Sequence, residues 1–143
     1  MDFEYGIIGG GPAGYTVGML LAKKGHSVVI FEKDKLGGTC LNKGCIPTKS
    51  MLHCSEIYAQ TKKLAEYGLD IDIKNFDFSK VAQKRDITVE KIRKNLEIAV
   101  KNSGVTVIYS EAKIKNVNYL INNDIASTSS KNKKANELNI PII

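Results

Sequence analysis

Apolar and polar positions alternate early in the chain in a way that predicts strand, helix and strand in quick succession. Residues 4–8 (Glu-Tyr-Gly-Ile-Ile) read as a short buried strand running into a glycine cluster. Over residues 13–24, Ala13, Val17, Leu20 and Leu21 recur at helical spacing, and Gly25 supplies the C-terminal stop. The run Ser27-Val-Val-Ile-Phe31 is rich in β-branched residues and reads as a second buried strand. Such a unit crosses over right-handed and leaves its two strands parallel.

Further along, residues 33–44 hold Gly37, Gly38 and Gly44 with few large apolar side chains, which predicts a loop. Pro47 suits the first turn of a helix running to about Tyr67, with Gly68 as its stop. Residues 69–77 are short and irregular. Ser79 is the expected N-cap of a long helix reaching about Asn102, with an apolar stripe of Val81, Val89, Ile92, Leu96, Ala99 and Val100 broken at Arg85. Gly104 ends it, and Val105–Tyr109 reads as a third core strand. Residues 112–121 alternate loosely and suggest a small antiparallel meander. The pattern as a whole predicts an α/β domain over residues 1–121, followed by a polar tail over residues 122–143 with little to bury.

Composition changes this picture only slightly. A chain of 143 residues, 43% apolar and 25% charged, suits one soluble globular domain. No apolar stretch approaches a bilayer span, and the acidic start Asp2-Phe3-Glu4 is unlike a basic secretory leader. A cytoplasmic protein without a membrane partner is the expectation. The net charge of +6 comes from scattered lysines that do not alternate with aromatic residues. That pattern does not point to nucleic acid, whereas a modestly basic domain suits an anionic dinucleotide.

Gly9-x-Gly11-x-x-Gly14 lies between the first predicted strand and helix. Each glycine answers a different need. Gly9 permits the tight turn, Gly11 lets backbone approach a pyrophosphate, and Gly14 lets helix and strand pack closely. The pyrophosphate then meets unpaired N–H groups at the positive end of the helix dipole. Glu32 ends the second strand, where a carboxylate can accept from both ribose hydroxyls and repel a 2′-phosphate. Strand, glycines, helix, strand and acid in this order predict dinucleotide binding, without distinguishing FAD from NAD.

Cys40 and Cys45 are two of three cysteines and lie close together, as catalytic or metal-binding pairs do. Their spacing makes a disulfide reachable if the loop turns into a helix start. Zinc usually takes four ligands, and no second CxxC or HxxxH pair is present, which argues against a metal. His26 and His53 are isolated. Cys54 reads as a small buried apolar residue in the body of a helix. Cys45 would open that helix, whose dipole lowers a thiol pKa, with Lys43 and Lys49 adding positive charge nearby.

The segment Gly37-Gly-Thr-Cys40-Leu-Asn-Lys-Gly-Cys45-Ile-Pro-Thr-Lys49-Ser-Met-Leu52 resembles the active-site stretch of the pyridine nucleotide-disulfide oxidoreductases, and within them the dihydrolipoyl dehydrogenases. Glutathione and mercuric reductases share its two-cysteine frame. The resemblance is close over residues 1–60, loose to about 115 and poor beyond. It implies an incomplete Rossmann-like, three-layer FAD-binding fold. FAD would lie against Gly9, Gly11, Pro12, Ala13 and Gly14, with Glu32 at the adenosine ribose, Gly38 and Thr39 along the cofactor, and Lys33, Cys40 and Lys49 among its other contacts. Ala112 falls where a backbone group meets the adenine. The resemblance makes Cys40 the interchange thiol, Cys45 the thiol beside the flavin, and Lys49 the lysine near flavin N5. The implied reaction passes electrons from dihydrolipoamide through a Cys40–Cys45 disulfide and FAD to NAD⁺. The partners it implies are lipoyl groups of 2-oxo acid dehydrogenase or glycine cleavage complexes, and a second subunit of a homodimer.

In that family an NAD-binding domain, a central region and an interface domain with a histidine–glutamate base follow, and this sequence has no second GxGxxG. The expectation is a fragment, active or inert, that exposes apolar surface. The segment Ile125-Ala-Ser-Thr-Ser-Ser130 stands where the family usually has Ala-Thr-Gly-Ser, which puts the last strand of the flavin domain in question.

Overall fold

The computed structural model describes residues 2–112 and 130–140. Three parallel strands, β1 (Tyr5–Ile8), β2 (Val28–Glu32) and β3 (Thr106–Tyr109), form a sheet in the order β1-β2-β3. The register pairs Ile7 with Ile30 and Ile30 with Val107, so alternate residues of all three strands share one face. On that face Val28, Ile30 and Val105 join Leu36 and Val100 as the buried core, with Tyr5, Ile7, Tyr15, Met19, Leu96 and Val107 packed around them.

Helix α1 (Pro12–Lys23) connects β1 to β2. The sequence placed Leu20 on its inner stripe, yet Leu20 is exposed and Tyr15, Met19, Leu21 and Ala22 face the core. Ala13 is also exposed. Spacing of apolar residues alone does not locate the inner face when nearly every position of a helix is apolar or small. Gly25 ends the helix as expected, with a positive φ and its N–H on Ala22 O.

The stretch expected to be a plain loop contains a short helix, α2 (Gly38–Lys43), and α3 (Cys45–Thr61) follows after Gly44. A 3₁₀ turn over Leu64–Tyr67 completes what the sequence read as one helix, and Gly68 closes it in the left-handed region. Helix α4 (Phe78–Asn102) is capped by Asp77 rather than by Ser79. The Asp77 carboxylate accepts from Ser79 N at 2.9 Å, so the true cap lies two residues earlier. Arg85, the break in its stripe, pairs with Asp86 at 2.8 Å. Helices α2 and α3 pack against α4, and α1 packs against β1 and β2.

The expected meander lies outside the described residues apart from Ala112, which is half-buried after β3. Part of the tail differs from expectation. Helix α5 (Ser130–Glu137) forms there, and Asn132, Ala135 and Ile140 are buried. Asn132 and Ala135 stand three apart on one helical face, so a polar composition still presents a buriable stripe. Apolar surface is exposed from the end of α3 to the start of α4, where Tyr67 is 78% and Phe76 65% accessible. Among the described residues no helix is long and apolar enough to cross a membrane.

Candidate active site

The glycine turn sits at the carboxyl end of β1, where ligands bind in open parallel sheets. Gly9 has φ +102°, and its N–H donates to Phe31 O at 2.8 Å, which ties the turn to β2. Gly14 lies directly over that turn: a Cβ there would stand 2.0 Å from Gly9 O. No side chain caps α1, and no acidic residue occupies its first turn. Pro12 and Ala13 are exposed at this helix start. An open, uncapped helix start over a side-chain-free turn is suited to a pyrophosphate.

Glu32 is 8% exposed, and the protein already uses both of its oxygens. Oε2 accepts from Gly10 N at 2.8 Å and Oε1 from Asp34 N at 2.9 Å. A carboxylate has about four lone-pair sites, so two remain for hydroxyl groups. This acid therefore ties the glycine turn to the end of β2, a role its sequence position did not reveal. A cavity of about 190 Å³ opens beside it, lined by Glu32, Lys33, Lys35, Gly38, Thr39 and Asn42.

A larger groove of about 720 Å³ lies between α2, α3 and α4. Its charged walls are largely paired among themselves: Lys43 with Asp34 at 3.1 Å, Arg85 with Asp86, and Arg93 with Glu90. The Lys43 ammonium holds the Asp34 carboxyl below the usual carboxylate range. Tyr109, opposite Glu32 in the sheet register, has its phenol pushed up by burial and by the Glu97 carboxylate.

The loop after β2 returns to the glycine turn. Gly37 N donates to Gly10 O at 2.7 Å, and a Cβ on Gly38 would stand 2.9 Å from Gly11 Cα. Two backbones thus meet with no side chain between them. Helix α2 then carries Cys40, and Gly44 reverses the chain so that Cys45 becomes the first residue of α3. A side chain at Gly44 would crowd Thr39 O at 3.1 Å.

Cys45 is exposed and Cys40 half-buried, and both are free thiols. Hydrogen bonding with the Cys45 thiol, and then desolvation, pushes the Cys40 thiol up, while the Cys45 backbone N–H and the Lys49 charge pull it down. Lys49 is exposed one turn into α3, and α3 has no acidic residue in its first turn. Cys54 is half-buried rather than buried. His53 lies near Glu56, and His26 is held away from the site by Glu4 at 3.4 Å and by an edge contact with Tyr5. Among the described residues no group of three or more His, Cys, Asp or Glu is placed to hold a metal ion.

Sequence reasoning thus named the glycines, Glu32, the cysteines and Lys49; the structure brings the first three sets to one end of the sheet and sets Lys49 close enough for its charge to act on Cys40. It missed Asn42, whose side-chain amide reaches back to the loop, and Leu36, fully buried beneath Gly10. The only sequence signal for Asn42 was an amide lying between two cysteines.

Comparison with known proteins agrees with this geometry. The chain is 34% identical to a dihydrolipoyl dehydrogenase of Acholeplasma laidlawii over 85% of its own length and 37% of the relative's. It is 36% identical to a dihydrolipoyl dehydrogenase of Geobacillus stearothermophilus, covering 90% of this chain and 28% of that one. The chain therefore spans well under half the length of these relatives. Among solved structures it resembles the Cu(II) complex of the HOCl-induced flavoprotein disulfide reductase RclA from Escherichia coli. That match has a TM-score of 0.61 and 28% identity, over 80% of this chain and 23% of the other. The sequence profile of the pyridine nucleotide-disulphide oxidoreductases matches residues 3–135, nearly the whole of the chain. With a glycine turn, a strand-end acid and a dithiol meeting at one end of a parallel sheet, this protein belongs to the pyridine nucleotide-disulphide oxidoreductase family.

Proposed function

We propose that Cys40 and Cys45 are a redox pair working beside FAD, and that the pair oxidises dihydrolipoamide, with NAD⁺ as the final acceptor in the whole enzyme. The observation that carries this is the α2–Gly44–α3 corner. It sets two thiols against each other at the start of a helix, next to a backbone turn suited to a pyrophosphate. The residues that would hold FAD are Gly9, Gly11, Pro12, Ala13 and Gly14 at the pyrophosphate, Glu32 and Lys33 at the ribose, Gly38 and Thr39 along the chain, Lys49 near the ring system, and Ala112 at the adenine. When bound, FAD supplies an acceptor for an electron pair.

The protein's own chemistry is thiol–disulfide exchange. A substrate thiolate attacks the Cys40 sulfur of the oxidised pair; the bond to Cys45 breaks, and Cys45 leaves as a thiolate. The second substrate thiol then displaces Cys40, so the substrate is oxidised to a disulfide and the pair is reduced to two thiols. Hydrogen bonding to Cys45 keeps the proton on Cys40, so one proton is held within the reduced pair. The Cys45 backbone N–H and the Lys49 charge act against this on Cys40, but more weakly. In the whole enzyme the partners would be lipoyl groups of 2-oxo acid dehydrogenase or glycine cleavage complexes, acting on a homodimer.

Anaerobic titration with FAD followed by dihydrolipoamide tests this reading. Retained flavin should bleach in the parent chain and stay yellow in Cys40→Ser. Absence of retained flavin overturns the cofactor assignment, and equal bleaching in both proteins overturns the dithiol assignment.

A further inference from the structure

We infer that Asn42 is a positioning residue: its amide clasps the cofactor-side turn to the redox helix and so sets where Cys40 stands relative to Cys45. The inference rests on the redox-pair reading above. Asn42 Nδ2 lies 3.0 Å from Gly38 O, 3.1 Å from Leu36 O and 3.4 Å from Lys35 O. All three neighbours are carbonyls, which accept only, so the nitrogen and not the oxygen must face them. Its two hydrogens serve the two nearer carbonyls, and Lys35 O takes a longer share.

The reach matters because the backbone bonds of α2 fix its start only weakly, although the helix packs on α3 and α4. It is six residues long, starts at Gly37 without a side-chain cap, and its Leu41 N–H meets Gly37 O at a long 3.4 Å. A helix this short does not sustain itself. On its far side the same turn is bonded to the glycine fingerprint through Gly37 N and Gly10 O at 2.7 Å, and Gly10 N is bonded to Glu32. Leu36, whose carbonyl Asn42 takes, is fully buried against Gly10. Asn42 therefore closes a chain of contacts from the strand-end acid, through the glycine turn, to the helix that bears Cys40. Cys45 stands on α3, which packs on α4 as well as on α2. Releasing Asn42 loosens the turn that opens α2 and lets Cys40 shift against Cys45, whose longer helix keeps its seat on α4.

The test is the thiol–disulfide equilibrium of the chain in glutathione buffers, read as the effective concentration of one cysteine for the other. In this exchange the two protein thiols are oxidised to one disulfide while one glutathione disulfide is reduced to two thiols. Asn42→Asp keeps the shape and removes both donors, and should lower the effective concentration by about five- to tenfold, the worth of one or two hydrogen bonds. Asn42→Gln keeps the amide and should recover part of the loss. Asp77→Ala weakens the start of α4, far along the chain from the pair, and should lower the melting temperature while leaving the exchange constant within about twofold of the parent. If Asn42→Asp does not fold, Asn42→Ala carries the same expectation. An Asn42 exchange constant within about twofold of the parent, or an equal shift in Asp77→Ala, overturns the inference and leaves the redox-pair reading standing. A parent chain that forms no Cys40–Cys45 disulfide overturns both.

Discussion

Replacing Gly14 by alanine isolates the contact that joins α1 to the glycine turn. A Cβ at this position would lie 2.0 Å from Gly9 O, 3.1 Å from Gly9 C and 3.3 Å from Ile7 Cγ2. Non-bonded carbon atoms settle at about 3.5–4.0 Å, and carbon against oxygen only a little closer, so the overlap is about 1 Å or more. The atom in the way is backbone and cannot swing aside. The N-terminal half of α1 must therefore lift from β1, which loosens Tyr15 and Met19 against Ile7 and Ile30. Overpacking of this kind costs about 1–3 kcal/mol, and a backbone clash belongs at the upper end. For a chain of this size that means a fall in melting temperature of about 6–12 °C.

Gly25→Ala is the natural control. Gly25 has φ +92°, and a Cβ added there would meet nothing within 4 Å, so its penalty is purely conformational, about 1–2 kcal/mol. Thermal melts of both variants, together with ADP titration by calorimetry, separate the two effects. Gly14→Ala should lose both stability and nucleotide affinity, whereas Gly25→Ala should lose less stability and no affinity. A Gly14→Ala protein that melts no lower than Gly25→Ala and binds ADP as the parent does would refute the reasoning.

Further expectations concern charge and protonation. Glu32→Gln leaves either Gly10 N or Asp34 N facing an amide nitrogen, so urea denaturation should show a loss of about 1–3 kcal/mol; an unchanged midpoint would mean that the two bonds carry no net stability. The Ser79 hydroxyl and backbone N–H hold the Asp77 carboxyl below its ordinary range. The cap therefore contributes above the unfolded carboxyl pKa and is lost as pH falls through the folded one. Melting curves of the parent and Asp77→Ala should differ at pH 7 and converge in strong acid; a constant gap would sink this assignment. Because Cys45 and desolvation keep the proton on Cys40, iodoacetamide should label Cys45 before Cys40 in the cofactor-free chain near pH 8. Peptide mapping reads the order, and faster labelling of Cys40 would reverse the protonation scheme.

Local chemistry made part of this protein legible from sequence. The three strands, the helix between the first two, and the glycine turn depend on short-range signals: β-branched runs, helical spacing and glycine stops. The cysteine segment was legible for the same reason, since its residue types sit close together along the chain. Capping was read two residues late, because Asp77 and Ser79 are both good caps and only the backbone conformation at Asp77 chooses between them.

What only the tertiary structure decided are the contacts between segments distant in sequence or folded back on one another. The sequence put Glu32 at the end of a strand, but the bond to Gly10 exists because β1 and β2 lie side by side in one register. Helix α2 was invisible in a glycine-rich stretch because it is held by Asn42, by the turn it lies against and by packing on α3 and α4, not by helix propensity. The buried face of α5 was likewise hidden in a polar tail. Propensity and spacing report what a segment prefers alone, while burial and hydrogen-bond satisfaction depend on which surfaces meet, and that is settled only when the chain has folded.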